Sequence, residues 1–116
     1  MNAHACGAKN TIFFALKWWS PVFATNGTRL WRVRDWRSID SNYEEEFEFT
    51  WGYRGYGCYS TAYAVLREAF GKKVALENVD KVVNEIVSLA KQDDPLVVRG
   101  WELCEIVGQK GSAKRG

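Results

Sequence analysis

The segment FTWGYRGYGCYSTAYAVLREAFG, residues 49–71, decides the fold because it joins a strand-like stretch to a helix through a glycine-rich turn. Three glycines and three tyrosines lie between Gly52 and Tyr59. The apolar residues that follow recur at helical spacing and predict a helix over 58–70, which Gly71 ends. Such a turn can cradle a ligand, present a reactive Cys58, or only carry the chain from strand to helix.

The spacing of the glycines favours a structural corner. Gly52, Gly55 and Gly57 match neither the dinucleotide fingerprint nor the phosphate-binding loop, and no lysine follows them. A cysteine at a helix N-terminus has its thiolate favoured, but a nucleophile also needs a base. The single histidine, His4, lies in the N-terminal arm. We therefore expect a corner that presents its tyrosines and its arginine to solvent.

Strand signals flank this segment on both sides. Residues 12–19 are rich in β-branched and aromatic side chains, and residues 46–51 alternate apolar with polar. Asn26-Gly27 lies between two short strand-like runs and predicts a hairpin, which we expect at a sheet edge. Residues 35–45 are polar and predict an irregular connection. Residues 96–107 predict a last strand or a short helix.

A second helix is predicted over 79–92, with Asn78 as its N-cap. The resulting fold class is α+β, a small antiparallel sheet of roughly three to five strands with two helices packed on one face. We expect a flexible N-terminal arm over 1–10, a single domain over 11–107 and a flexible basic tail over 108–116.

The composition indicates a globular, unusually aromatic protein. The chain has 116 residues, 47% of them hydrophobic and 26% charged, with six Trp, five Tyr and six Phe. So many large rings are hard to bury in one small domain, so some are expected on the surface. The net charge is only +2, but an arginine-rich segment, 29–37, directly precedes an acidic one, 40–48.

The polar residues suggest no catalytic set. Cys6, Cys58 and Cys104 have no metal-ligand spacing, and the expectation is a reduced cytosolic protein with incidental thiols. The glutamates of 44–48 are adjacent, as on a solvated face or a partner-binding patch. We expect no enzyme, no catalytic residue, no metal and no cofactor. The apolar stretch 11–24 is interrupted by Lys17 and Pro21 and is too short to cross a membrane.

The segment RLWRVRDWR, residues 29–37, leaves three interpretations open. Its tryptophans can lie in the core with the arginines around them. Alternatively, tryptophan and arginine can anchor a protein interface, where both are enriched at hot spots. They can also stack on bases and hold phosphates.

The octet Trp51 to Cys58, WGYRGYGC, resembles the signature of a family of small phage, prophage and bacterial proteins of unknown function. Their shared segment reads approximately W-G-Y-G-G-S-G-P, before a helix rich in alanine and leucine. Tyr56 stands here where the family has serine, and Cys58 where it has proline. The resemblance implies an origin in mobile elements and names no catalytic residue. Small phage proteins of this size are often inhibitors of host defence, including anti-CRISPR proteins.

The function predicted from these observations is non-enzymatic binding, by docking of a host-defence inhibitor on a host protein or ribonucleoprotein complex in the host cytoplasm. The alternative is a nucleic-acid-binding module that uses the arginine- and tryptophan-rich segment. A small enzyme with its site at the glycine turn is the third hypothesis. The predicted partner-binding residues are Arg29, Trp31, Arg32, Arg34, Trp36, Arg37, Tyr53, Arg54 and Tyr56.

Overall fold

Four strands and four α-helices form the domain in the computed structural model, which describes residues 6–41 and 49–115. The strands pair in the order β3-β2-β1-β4, and every pairing is antiparallel. The predicted α+β class is confirmed, with four helices instead of two. In chain order the elements are β1 (Ile12–Ala15), β2 (Phe23–Thr25), β3 (Leu30–Arg32), α1 (Trp36–Ser41), α2 (Tyr56–Phe70), α3 (Lys72–Val82), β4 (Leu96–Arg99) and α4 (Gly100–Arg115).

The predicted hairpin joins β2 to β3, and β3 is an edge strand as expected. Gly27 adopts φ 92°, a conformation that glycine takes without steric cost. The side-chain oxygen of Asn26 accepts hydrogen bonds from the backbone N–H groups of Thr28 and Arg29, both at 2.9 Å. The turn is therefore closed by the asparagine that the sequence places there.

The sheet has a covered face and an open one. Phe13, Ala24 and Val98 lie side by side on the covered face and are buried in the core with residues of α2 and α3. Phe14 and Phe23 lie on the opposite face, which we call the outer face, and belong neither to the core nor to the side chains packed against it. The alternation of strand side chains produces this division.

Gly71 connects α2 to α3 with a single residue at φ 91°, and its N–H bonds to the carbonyl of Arg67. The predicted start of the second helix is wrong, because α3 already begins at Lys72. Asn78, the expected N-cap, is buried within α3 and donates through Nδ2 to the carbonyl of Val74 at 2.9 Å. A π-helical turn, Val83–Val87, follows α3, so helical structure ends before the predicted residue 92.

Three further segments differ from expectation. Phe49, Thr50 and Trp51 belong to no strand and are all buried, while the rest of the predicted strand, 46–48, lies outside the described residues. Helix α1 occupies part of the supposedly irregular 35–45, of which 42–45 also lies outside the described residues. Strand β4 and helix α4 divide 96–107, and α4 continues to Arg115 through the expected tail.

A disulfide at Cys6 attaches the segment that precedes β1 to the rest of the domain. Cys6 is bonded to Cys104, across a sequence separation of 98 residues. The expectation of reduced thiols is therefore wrong for this pair, which sequence spacing alone did not reveal. Gly100 passes close beneath the same loop, where its N–H donates to the carbonyl of Thr11 at 2.6 Å. A Cβ on Gly100 would overlap the carbonyl oxygen of Ala8, so only glycine fits this crossing.

Candidate functional site

The Trp-Gly pair at the start of the glycine turn is hydrogen-bonded to the part of the chain that follows α3. Trp51 is fully buried, and its indole N–H is shared between the carbonyls of Lys91 and Asp94, each at 3.0 Å. The N–H of Gly52 donates to the carbonyl of Val87 at 2.9 Å. These bonds tie the turn to the end of the π-helical turn and to the loop that follows it, where the carbonyls of Val87 and Lys91 also accept the N–H groups of Ala90 and Asp94. The pair therefore has a structural role.

Close packing requires glycine at position 52 of the turn, and at position 55 a side chain would displace the ring of Tyr53. Gly52 adopts φ 92°, and a Cβ there would lie 2.4 Å from Cγ of Gln92 and 2.8 Å from the carbonyl oxygen of Ala90. A Cβ on Gly55 would lie 2.3 Å from the ring of Tyr53. Cys58, just inside α2, is buried, with its sulfur 3.7 Å from Oγ1 of Thr50. The turn is thus a filled corner.

Large aromatic side chains line the outside of this corner. Trp19 is 63% exposed and has φ 63°, although it is not glycine. Its N–H donates to the carbonyl of Phe49 at 3.0 Å. The ring of Trp18 lies between those of Trp19 and Tyr53, with centroid distances of 5.6 and 5.5 Å. Trp18 also donates from its indole to the carbonyl of Trp51 at 3.1 Å, which fixes this group on the corner.

Tyr56 and Arg37 extend the surface along the start of α2. Tyr56 is 58% exposed, and the guanidinium of Arg37 lies 3.9 Å from its ring centroid. Nη1 of Arg37 donates to the carbonyl of Tyr56 at 2.9 Å and to Oγ of Ser60 at 3.1 Å. Arg54, between the two tyrosines, is exposed. We call the set Trp19, Arg37, Tyr53, Arg54 and Tyr56 the aromatic ridge.

The segment 29–37 is divided between the interior and the surface. Trp31 and Trp36 are partly buried against the core and donate their indole N–H groups to the two carboxylate oxygens of Glu68, at 3.1 and 2.7 Å. The guanidinium groups of Arg34 and Arg67 lie 5.2 and 4.0 Å from the ring of Trp36. The tryptophans thus join β3 and α1 to α2.

Of the nine predicted binding residues, the structure brings together Arg37, Tyr53, Arg54 and Tyr56. Arg29 and Arg32 lie exposed on the β2–β3 hairpin and are not part of the corner. Trp19 was missed, although it directly precedes the turn signal Ser20-Pro21, and such connections run over the protein surface.

A small network of polar groups lies beside the ridge. Asp40 accepts hydrogen bonds from the hydroxyl of Tyr63 and from Nε of Arg67. Burial acts to raise the pKa of Asp40, but these two donors and the positive charges of Arg67 and Lys72 hold it below the usual value. Burial, together with the neighbouring Asp40, raises the pKa of Tyr63 to about 12. A shallow cavity of about 230 Å³ opens here between α1, α2 and α3.

Two kinds of feature are absent from the described residues. No three side chains of the His, Cys, Asp or Glu type come together there as a metal site would require. No helix in the same part of the chain has the length and apolar character needed to cross a bilayer.

The family match extends over most of the domain. The model of DUF6166, a family of unknown function, matches residues 22–107, from just before β2 into α4. Neither the curated proteins nor the solved structures contain a match. Because the family match covers well over half of the chain, this protein belongs to DUF6166, and the expectation of a family of unknown function is confirmed.

Proposed function

We propose that this DUF6166 protein is a non-enzymatic binding protein that docks through its aromatic ridge on a host protein or ribonucleoprotein complex. The observation that carries the proposal is a preorganised group of Trp, Tyr and Arg side chains, of which Arg37 is half-buried on α1 and the other four are exposed at the packed corner. These three residue types dominate the energetics of protein interfaces. The resemblance of WGYRGYGC to phage and prophage proteins extends the proposal to a mobile-element inhibitor of host defence, of the anti-CRISPR type.

Preorganisation supports docking because immobilising a flexible side chain costs about 0.5–1.5 kcal/mol on binding. Arg37 is already held by two hydrogen bonds and by the ring of Tyr56. Tyr53 is held by the hydrogen bond between its hydroxyl and Oγ1 of Thr50 at 2.9 Å. A partner that meets these groups loses little of its binding energy to ordering them.

The backbone of Trp19 supports the same conclusion. Residues held at unfavourable φ cost on the order of 1–3 kcal/mol and cluster at functional sites. At φ 63° Trp19 carries such a cost, yet most of its ring is in water and contributes little to the core. Display to a partner accounts for a strained tryptophan on the surface.

The filled corner favours binding over catalysis at the glycine turn. The space beside Gly52 is occupied by Gln92 and the carbonyl of Ala90, and the space beside Gly55 by the ring of Tyr53. Cys58 has no exposed surface. The chemistry that this turn offers to solvent is therefore that of its outer tyrosines and arginines.

The proposed site of action is the host cytoplasm, where glutathione and thioredoxin keep thiols reduced. Docking there has to persist when the Cys6–Cys104 bond is open. None of the ridge residues is bonded to either cysteine, and the ridge is held by hydrogen bonds and ring contacts. Capture in reducing and non-reducing buffers should therefore give the same partner.

The test is affinity capture with the tagged full-length chain from lysate of a phage-susceptible bacterium, with and without nuclease. The second measurement is the plaquing efficiency of phage on cells that have active CRISPR immunity and express the protein. We expect retention of a defence protein after nuclease and increased plaquing. Trp19→Ser with Tyr56→Ala should weaken capture at least tenfold, whereas Leu89→Ser, an exposed apolar change off the ridge, should not. Equal capture by both variants, or no defence protein and no gain in plaquing, would refute the proposal.

A further inference from the structure

The outer face of the sheet is a second surface that the aromatic ridge does not include. The strand register arranges its side chains in two rows that cross all four strands. The first row is Val97, Phe14, Phe23 and Arg32, and the second is Arg99, Ile12, Thr25 and Leu30.

Apolar groups lie on all four strands of this face: Phe14 and Phe23, on the central strands, are half-buried, and the other three are exposed. Ile12 is 40% exposed, Val97 45% and Leu30 66%. Between them the rings of Phe14 and Phe23 lie with centroids 5.8 Å apart and planes inclined by 30°. Monomeric proteins rarely leave such a contiguous apolar surface open without a use for it.

The charges on this face have one sign. Arg32 and Arg99 lie on the two edge strands, at diagonally opposite corners, and both are exposed. None of the eight strand residues on this face is acidic; the nearby carboxylate of Glu102 accepts a hydrogen bond from the backbone N–H of Arg99 at 3.3 Å, beyond the end of β4. In the described part of the chain an ion pair joins Arg67 to Asp40, and neither Arg32 nor Arg99 takes part in one. The face therefore complements a ligand that is both apolar and anionic.

We propose that the outer face binds a segment of single-stranded nucleic acid, with bases stacked on Phe14 and Phe23 and phosphates held by Arg32 and Arg99. Aromatic rings on four-stranded sheets stack bases in this manner, and stacking tolerates any base because each has a π-face. Adjacent strands lie about 4.8 Å apart, so the first row spans roughly 14 Å, enough for a short stretch of bases.

A second copy of this chain fits the same face less well. Face-to-face association would place four guanidinium groups in an apolar contact that supplies no carboxylate from its strands, and unpaired charges are costly to desolvate. Binding of nucleic acid leaves the same guanidinium groups paired with phosphates. This inference does not depend on the aromatic ridge, and the two surfaces can be tested separately.

The inference also changes which residues of the segment 29–37 contact nucleic acid. Trp31 and Trp36 pack against the core and donate to Glu68, and guanidinium groups already lie against the ring of Trp36, so these rings are less available to bases than those of the outer face. Arg32, between them, has its side chain on the outer face. Of the arginines in this segment, Arg32 therefore remains a proposed phosphate contact, and the rings that stack on bases belong to β1 and β2.

The experiment is fluorescence anisotropy of labelled twelve-nucleotide oligo-dT and oligo-rU with the full-length chain, from 50 mM salt upward, and of a duplex of equal length. We expect both single strands to bind more tightly than the duplex, and a difference between dT and rU would show whether a 2′-hydroxyl is read. The logarithm of the affinity should fall against the logarithm of salt with a slope of about −1.4 from two phosphate contacts.

Substitutions then locate the site. Phe14→Leu and Phe23→Leu should each weaken binding by about 5- to 150-fold, the loss expected from removing one stacking ring. Arg32→Gln and Arg99→Gln, at exposed positions that do not support the core, should each make the slope shallower by about 0.7. Lys73→Gln on α3 makes the same charge change off this face and should leave affinity and slope unchanged.

No binding at 50 mM salt, equal binding of duplex, or unchanged binding by all four variants on this face would overturn the inference. Sedimentation velocity of the same proteins supplies a further decisive outcome. A dimer that Phe23→Leu dissociates would show that a second copy covers the face, and this too would overturn the proposal.

Discussion

Replacement of Gly52 by alanine tests the conclusion that the glycine turn is a packed corner. Two costs arise. At φ 92° a residue with a Cβ loses roughly 1–2 kcal/mol. The Cβ would also lie 2.8 Å from the carbonyl oxygen of Ala90, and backbone cannot withdraw as a flexible side chain can. Overpacking of this kind costs about 1–3 kcal/mol.

Gly27→Ala is the matched control, because Gly27 has the same φ of 92° and no atom lies within 4 Å of the position that its Cβ would take. Both variants gain about 0.4–1 kcal/mol from the stiffer unfolded chain, and this gain cancels between them. Gly52→Ala should therefore lower the free energy of unfolding by about 1–3 kcal/mol more than Gly27→Ala does.

Urea denaturation at pH 7, followed by tryptophan fluorescence and by far-UV circular dichroism, measures the difference. If the two variants unfold within about 0.5 kcal/mol of each other, the reasoning is refuted, because that margin is near the error of the extrapolation. The turn would then have room beside Gly52, and a ligand cradle at this position would again be a serious interpretation.

Three other predictions concern interactions inside the domain. Glu68→Gln should lower the free energy of unfolding in urea by about 1–2 kcal/mol. One of the two carboxylate oxygens that accept the indole N–H groups would become an amide nitrogen, which cannot accept a hydrogen bond. A Tyr63→Phe difference titration at 295 nm should show one ionisation near pH 12; the stabilisation linked to this hydroxyl is present below about pH 10 and lost as the pH rises through 12. Thiol titration of the unreduced, unfolded chain should find one free thiol, Cys58, and three after reduction of the Cys6–Cys104 bond.

Each of these measurements has a control and a contradicting result. Glu105→Gln on the exposed face of α4 should be neutral, and an equal loss from both glutamates would exclude a special role for Glu68. In denaturant the Tyr63 step should move to about pH 10, and a native step already at 10 would contradict the buried hydrogen bond. Three reactive thiols before reduction would show that the disulfide is absent.

Local signals predicted the elements whose residues decide their own conformation. Asn26 and Gly27 form their turn with hydrogen bonds inside the hairpin, so the pattern was sufficient. Helix α2 was predicted nearly to its ends because Gly71 stops it within the same segment. Helix α3 was placed seven residues late at its start, since a residue typical of an N-cap, Asn78, can also bond to the preceding helical turn.

The remaining features depend on contacts between distant residues. The alternation at Phe49, Thr50 and Trp51 suggested a strand, but Trp51 is bonded to carbonyls 40 and 43 residues away, and all three side chains are buried. The Cys6–Cys104 bond spans 98 residues, which no spacing rule detects. Sequence identified Tyr53 and Tyr56 by their place in the turn, whereas the outer face requires the strand order to be known.

The position of β1 in the sheet has a consequence for synthesis on the ribosome. This strand lies between β2 and β4, yet β4 ends at Arg99, 84 residues after β1 ends at Ala15. At translation rates of roughly 5–20 residues per second, one edge of the apolar Ile-Phe-Phe-Ala strand waits about 4–17 s for its second neighbour. During that interval the nascent chain presents an unpaired aromatic edge, the kind of surface that ribosome-associated chaperones cover and that neighbouring chains on a polysome can join.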